Sequence, residues 1–278
     1  MPRLGWLNDH DLGARPGGAD KALRALLASA PPDVELVRCP PGGVDLSCDS
    51  YLAFLVKRYP DADLQALLAR PYVRCGWDWW PEEDGNAGWR GPLAEAALLN
   101  VWVSPLHRER CVKRWGLATE KSATIPPPLD PAPYETAAAE VAGRQGTLWA
   151  AEWHVAKGPD LAAMWALRNR ERVDFYSPSM PPEELAQPWL FNRWCRPKGF
   201  CAEERWLETF ASYERFLHLP RFPDAFGYAA LEAWLLGLEV VVSGVTGVES
   251  WGLPFGALVE RCAGAAEEFW GVVGAALP

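Results

Sequence analysis

The sequence predicts an α/β protein of two parallel-sheet domains. Short apolar or β-branched runs alternate with helical patterns along most of the chain. A proline-rich segment, I-P-P-P-L-D-P-A-P at residues 125–133, divides these units into two series. A strand–loop–helix–strand unit at residues 215–249 ends the second series, and such units build parallel sheets. The predicted domains are 1–128 and 129–258, with 259–278 a C-terminal helix packing back across them.

In the first series, R-L-G-W-L-N at residues 3–8 reads as a strand, followed by the loop D-H-D-L-G-A-R-P-G-G-A-D and an amphipathic helix near 19–29. Residues 34–38 read as strand two, 51–56 as an apolar run and 61–69 as a helix. Y-V-R-C-G-W-D-W-W at 72–80 reads as a buried strand entering a polar loop. A strand at 98–103 leads into S-P-L-H-R-E-R-C-V-K-R-W-G at residues 104–116. Residues 122–126 read as the last strand before the linker.

The second series opens with a strand at 147–152, the loop W-H-V-A-K-G-P-D-L and a helix to about residue 169. Residues 172–176 read as a strand and 203–213 as a helix, with Arg193, Arg196 and Lys198 between them as a small basic group. Strands are predicted at 216–219 and 239–243, around a helix from Gly227 to Gly237. One long amphipathic helix is predicted from Gly256 to Ala276.

Composition bounds the function. At 278 residues and 49% apolar content there is ample material for two cores. A net charge of −9 argues against a general nucleic-acid or anionic-membrane binder. No apolar run approaches membrane-spanning length, and the first residues lack a secretory pattern. Seven cysteines with no C-x-x-C pair read as reduced thiols of a cytoplasmic protein, with no zinc site. Most of the 16 tryptophans are expected in the core.

The chemistry gathers where loops meet helix starts. Asp224 stands just ahead of the helix at Gly227, and Glu232 about two turns into it. Backbone N–H groups around Phe226, Gly227 and Tyr228 carry the positive end of that helix and suit a phosphate. The two acids suit sugar hydroxyls. A capping Asp and a solvated Glu fit the same spacing. Gly17 and Gly18 also precede a helix and make a second anion-friendly loop, beside His10.

D-A-F-G-Y-A-A-L-E-A followed by G-L-E-V-V-V-S-G-V-T-G-V-E resembles the donor-binding signature of the retaining glycosyltransferases of family 4. That pattern runs roughly E-G-F-G-x-x-x-L-E-A, then G-x-P-V-V-x-S and G-G-x-x-E. Phe226, Gly227, Leu231, Glu232, Ala233, Ser243, Gly247 and Glu249 fit it, whereas Asp224, Ala225 and Glu239 depart. The resemblance implies the GT-B fold, two Rossmann-like domains facing a cleft, and transfer of a hexose from a nucleotide diphosphate sugar with retention. It implies Lys157, in a K-G step, as the cation on the donor diphosphate, with Asp224 at the hexose and Glu232 at the ribose. Gly17 and Gly18 would lie near the diphosphate. Trp77 and Asp78 stand where the family often has His-Asp, and His107 falls in an S-x-x-H step. With His10 these are the candidate sugar or acceptor contacts. Glu152 occupies the position of a second family cation. No metal or other cofactor is implied, and the acceptor is not specified. A non-catalytic sugar- or nucleotide-binding module and a sugar-nucleotide epimerase stay open as alternatives.

Overall fold

The computed structural model describes residues 1–9, 12, 18–77, 87–178 and 193–278. The chain divides into two compact units, Met1–Leu129 with Glu260–Pro278, and Asp130–Val259.

The first unit carries a six-stranded parallel sheet in the order β2-β1-β3-β4-β5-β6. Its strands are β1 (Arg3–Leu7), β2 (Glu35–Cys39), β3 (Ser50–Ala53), β4 (Tyr72–Gly76), β5 (Leu99–Trp102) and β6 (Ser122–Thr124). Every residue of β3 and β4 is buried, as expected of strands covered on both faces. Between the strands run α1 (Gly18–Ala28), α2 (Asp61–Leu68), α3 (Ala87–Ala96) and α4 (Pro105–Trp115). At the ends of α4, Ser104 accepts the His107 N–H, Pro105 opens the first turn, and Gly116 ends the helix at φ 64°.

The second unit carries a five-stranded parallel sheet in the order β11-β10-β7-β8-β9. The strands are β7 (Thr147–Ala150), β8 (Val173–Tyr176), β9 (Cys195–Gly199), β10 (Arg215–His218) and β11 (Glu239–Val242). Its helices are α5 (Ala132–Glu140), α6 (Pro159–Asn169), α7 (Glu203–Ala211), α8 (Tyr228–Leu235) and the short α9 (Gly247–Ser250). Trp149, Trp153 and Phe175 pack ring against ring at 5.2–5.6 Å in the core of this unit.

Four details depart from the sequence reading. Helices α3 and α5 and strand β9 were not expected. The predicted C-terminal helix is two helices, α10 (Phe255–Ala263) and α11 (Ala265–Ala276), interrupted at Gly264. Helix α11 belongs to the first unit, where Trp270 Nε1 donates to the Leu26 carbonyl at 3.0 Å and Phe269 stacks on Phe54.

Tryptophan serves packing in both units. Trp102 and Trp149 are fully buried. The Arg74 guanidinium lies against both the Trp102 and Trp115 rings, 4.9 and 5.1 Å from their centroids, and reaches Asn100 Oδ1 at 3.3 Å. Burial pushes its pKa down to about 10.

Candidate functional site

Strand order selects the place to look. In the second unit the chain starts at β7, moves through β8 and β9 on one side, then returns to lay β10 and β11 on the other. The carboxyl ends of β7 and β10 therefore flank the topological switch point, where open α/β sheets bind ligands. Lys157 follows β7, and Asp224 follows β10.

Both loops are built for close approach. After β7, a 3₁₀ turn (Val155–Lys157) is capped by His154, whose Nδ1 accepts the Ala156 N–H at 3.2 Å. Gly158 then takes a left-handed conformation at φ 66°, and Pro159 opens α6. After β10, the Arg221 N–H donates to the Ala156 carbonyl at 2.9 Å, and the Arg221 side chain pairs with Asp160. A Cβ on Gly158 would sit 1.9 Å from the Leu219 carbonyl oxygen. The two backbones touch because residue 158 has no side chain.

That contact brings Lys157 Nζ to 3.8 Å from Asp224 Oδ2. His218, the last residue of β10, places Nε2 3.2 Å from the same oxygen. Asp224 is anchored by its backbone as well: its N–H donates to Val245 O at 3.0 Å, and its carbonyl accepts the Gly247 N–H at 2.9 Å. Burial alone would raise the Asp224 pKa. The Lys157 charge, His218 and the Phe226 N–H together outweigh it and hold the carboxyl well below the usual carboxylate range.

At the start of α8 the Phe226 N–H helps to stabilise the ionised form of Asp224. Phe226 is buried, Gly227 is left-handed at φ 88°, and Tyr228 is half-buried with its ring 6.4 Å from that of Phe226. A Cβ on Gly227 would lie 3.0 Å from His218 Nε2, so glycine here also makes room for the imidazole. Glu232 is buried and accepts the Tyr134 hydroxyl through Oε1 at 2.5 Å. Burial, then the Glu232 charge, push the Tyr134 pKa up. A ribose diol at Glu232 would share that carboxylate with Tyr134.

The structure thus gathers Lys157, Asp224, Phe226, Gly227, Tyr228 and Glu232 in the second unit. His218 and Tyr134 join them without having been singled out in the sequence. A histidine ending an otherwise apolar strand beside the motif was the available signal for His218. Nothing local marks Tyr134, whose partner is 98 residues away.

Other expected residues fall elsewhere. His10, Gly17 and Asp78 lie outside the described residues. Gly18 is the first residue of α1. Trp77 is buried, edge-on to Phe54 at 5.4 Å. His107 is fully buried with its ring edge-on to Trp102 at 5.3 Å, so it presents no surface to a ligand. Of the basic group, Arg196 is bound bidentately by Asp174 at 2.6 and 2.8 Å, and Lys198 lies 3.7 Å from the same carboxylate. Glu152 is exposed.

Solved structures share this architecture. Anabaena HepE, solved with UDP and glucose, is similar over 98% of this chain and 95% of that chain, at TM-score 0.70 and 15% identity. Sucrose-phosphate synthase from Thermosynechococcus elongatus is similar over 100% and 95%, at TM-score 0.69 and 11% identity. AviGT4, a glycosyltransferase involved in avilamycin A biosynthesis, is similar over 99% and 95%, at TM-score 0.62 and 17% identity. The fold is GT-B. No protein-family model and no curated protein sequence matches the chain. At these identities the likeness is one of GT-B fold. Among the described residues no helix is long and apolar enough to cross a membrane.

Proposed function

We propose that this chain is a glycosyltransferase that moves a hexose from a nucleoside diphosphate sugar to an acceptor with retention, using no metal ion. The observation that carries the reading is the meeting of Lys157 and Asp224 at the switch point of the second sheet, 3.8 Å apart. An ammonium there offsets the charge that builds on a departing diphosphate. Asp224 is held ionised, and an ionised carboxylate accepts hydrogen bonds from hexose hydroxyls. In this reading Glu232, just over one turn into α8, accepts from the ribose hydroxyls. HepE has been solved with UDP, with UDP and glucose, and with UDP-glucose, which supports this class of donor. The reading includes a cytoplasmic setting, in keeping with seven free cysteines, and no nucleic-acid partner.

A thermal-shift screen of UDP, GDP, ADP and TDP and their hexose conjugates tests it. A ligand at a hundred times its Kd stabilises by about 2.7 kcal/mol, which is readily seen as a rise in Tm. Release of nucleoside diphosphate in the presence of an acceptor, insensitive to EDTA, is then expected. Silence across the whole panel overturns the proposal. A second reading, a binding module without turnover, is favoured by Glu152, which places an exposed acid where the resembled family has a cation. Donor binding with no product across a broad acceptor set would select it.

Lys157→Ala should weaken nucleoside diphosphate affinity by about 1.5–3 kcal/mol, the range for hydrogen bonds to charged groups. Its effect on unliganded stability should stay within about 1 kcal/mol, because the lysine side chain is 43% exposed and its ion pair is solvent-screened. Calorimetric titration and denaturant melts check both, and unchanged affinity removes Lys157 from the site.

A further inference from the structure

Asp224 Oδ2 is shared by two potential counter-ions, Lys157 Nζ at 3.8 Å and His218 Nε2 at 3.2 Å. The three groups differ in freedom. The His218 and Asp224 side chains are 12% and 17% exposed, and both sit on anchored backbone, whereas Lys157 is 43% exposed. The ammonium can follow an incoming anion; the carboxylate and the imidazole cannot. A diphosphate that draws Lys157 away leaves a largely buried carboxylate short of positive charge, which favours a replacement counter-ion. His218 Nε2 stays 3.2 Å from that oxygen on the anchored end of β10, so a proton gained there restores the missing charge. An imidazole is the side chain that exchanges protons near neutrality.

We propose that binding of a nucleoside diphosphate is coupled to uptake of a proton by His218, whose imidazolium replaces Lys157 as the counter-ion of Asp224. This deepens the donor-site reading and rests on it. The proton comes from buffer, an N–H bond forms at the imidazole, and release of the nucleotide reverses the step. His218 is thus a positioning residue: it keeps Asp224 ionised and in place while Lys157 serves the phosphates. The other charged groups of the neighbouring elements have their own partners. Arg221 pairs with Asp160 of α6, Glu249 of α9 accepts the Thr246 hydroxyl, and Glu232 of α8 accepts that of Tyr134. Phe216 stacks on the imidazole at 6.2 Å, and Gly227 leaves it space.

Calorimetric titration with UDP, GDP, ADP and TDP at pH 7.5, in buffers of different ionisation enthalpy, tests the coupling. A terminal phosphate ionising near pH 6 contributes almost nothing at that pH. The wild type should take up about 0.5–1 proton per nucleotide bound, with affinity falling up to about tenfold per pH unit above neutrality. His218→Asn and His218→Gln, which cannot gain a proton, should show uptake near zero and an affinity that no longer follows pH. A purely structural role for His218 would lower affinity without abolishing the buffer dependence. Nucleotide binding with no buffer dependence in the wild type overturns the inference and leaves the donor site standing, and needs no variant to be seen. Uptake that persists in both variants also overturns it. Failure of every nucleotide to bind overturns the donor-site reading and this inference with it.

Discussion

Gly158→Ala is expected to lose about 2–5 kcal/mol of stability and, with it, the nucleotide site. Two costs combine. The residue sits at φ 66°, where an L side chain costs roughly 1–2 kcal/mol. The new methyl would also arrive 1.9 Å from the Leu219 carbonyl oxygen and 3.3 Å from the Arg221 nitrogen. These are backbone atoms, which cannot swing aside as a side-chain tip does. Overpacking typically adds about 1–3 kcal/mol, and here relief means parting the β7 and β10 loops. Parting them takes Lys157 away from Asp224. Gly252 provides the comparison within the same unit. It has φ 62° with nothing within 4 Å of its Cβ position, so Gly252→Ala should carry the conformational cost alone. Denaturant unfolding of both variants, with nucleotide titration of each, measures the difference. Equal losses from the two substitutions would show that the loop-to-loop contact contributes nothing.

Most strands were legible as short apolar or β-branched runs flanked by turn residues, and order along the chain gave their alternation with helices; β9, C-R-P-K-G with three exposed residues, has no such run and read only as part of a basic group. Two helices were hidden by their own punctuation. Helix α3 contains G-W-R-G-P, and Gly and Pro read as a loop, yet Pro92 lies inside the helix. Helix α5 grows directly out of the proline linker, with Pro131 as its cap and Pro133 in its first turn, so linker and helix share one composition. The break at Gly264 escaped notice because the apolar periodicity continues through it.

The site divides along the same line. Lys157, Asp224 and Gly227 occupy strand-to-helix loops, where sequence position alone places a residue at the carboxyl edge of the sheet. His218 and Tyr134 act through partners supplied by folding. The Lys157–Asp224 pair itself depends on the adjacency of β7 and β10, which are separated in the chain by β8 and β9. That crossover is not written in any local pattern. Its trace is Gly158, whose need to be glycine becomes plain only when the second loop lies against it.

Asp224→Asn and Glu232→Gln should separate the two halves of a nucleotide sugar. The neutral Asn keeps hydrogen-bonding capacity but removes the charge beside Lys157. Nucleoside diphosphate affinity should therefore hold or tighten, since residue 224 no longer competes with the phosphates for the ammonium. The nucleotide sugar should lose its hexose contact, and turnover should fall by roughly 10- to 150-fold, the equivalent of about 1.5–3 kcal/mol for a charged hydrogen bond that tightens in the transition state. Asp224 is one methylene shorter than a glutamate, so its reach to the sugar is set by the loop anchored at Val245 and Gly247, not by side-chain flexibility. Glu232→Gln is the complementary change. Its amide oxygen still accepts the Tyr134 hydroxyl, so the core contact and the fold are kept while the charge is lost. Nucleoside diphosphate and nucleotide sugar should then weaken alike, by about 1–3 kcal/mol, because both carry the ribose. Calorimetric titration of each variant with each ligand, joined to steady-state kinetics, gives the four affinities. Equal losses on both ligands from Asp224→Asn would show that Asp224 does not read the sugar. Full affinity for both ligands in Glu232→Gln would remove the ribose from α8 and move the donor to another part of the unit.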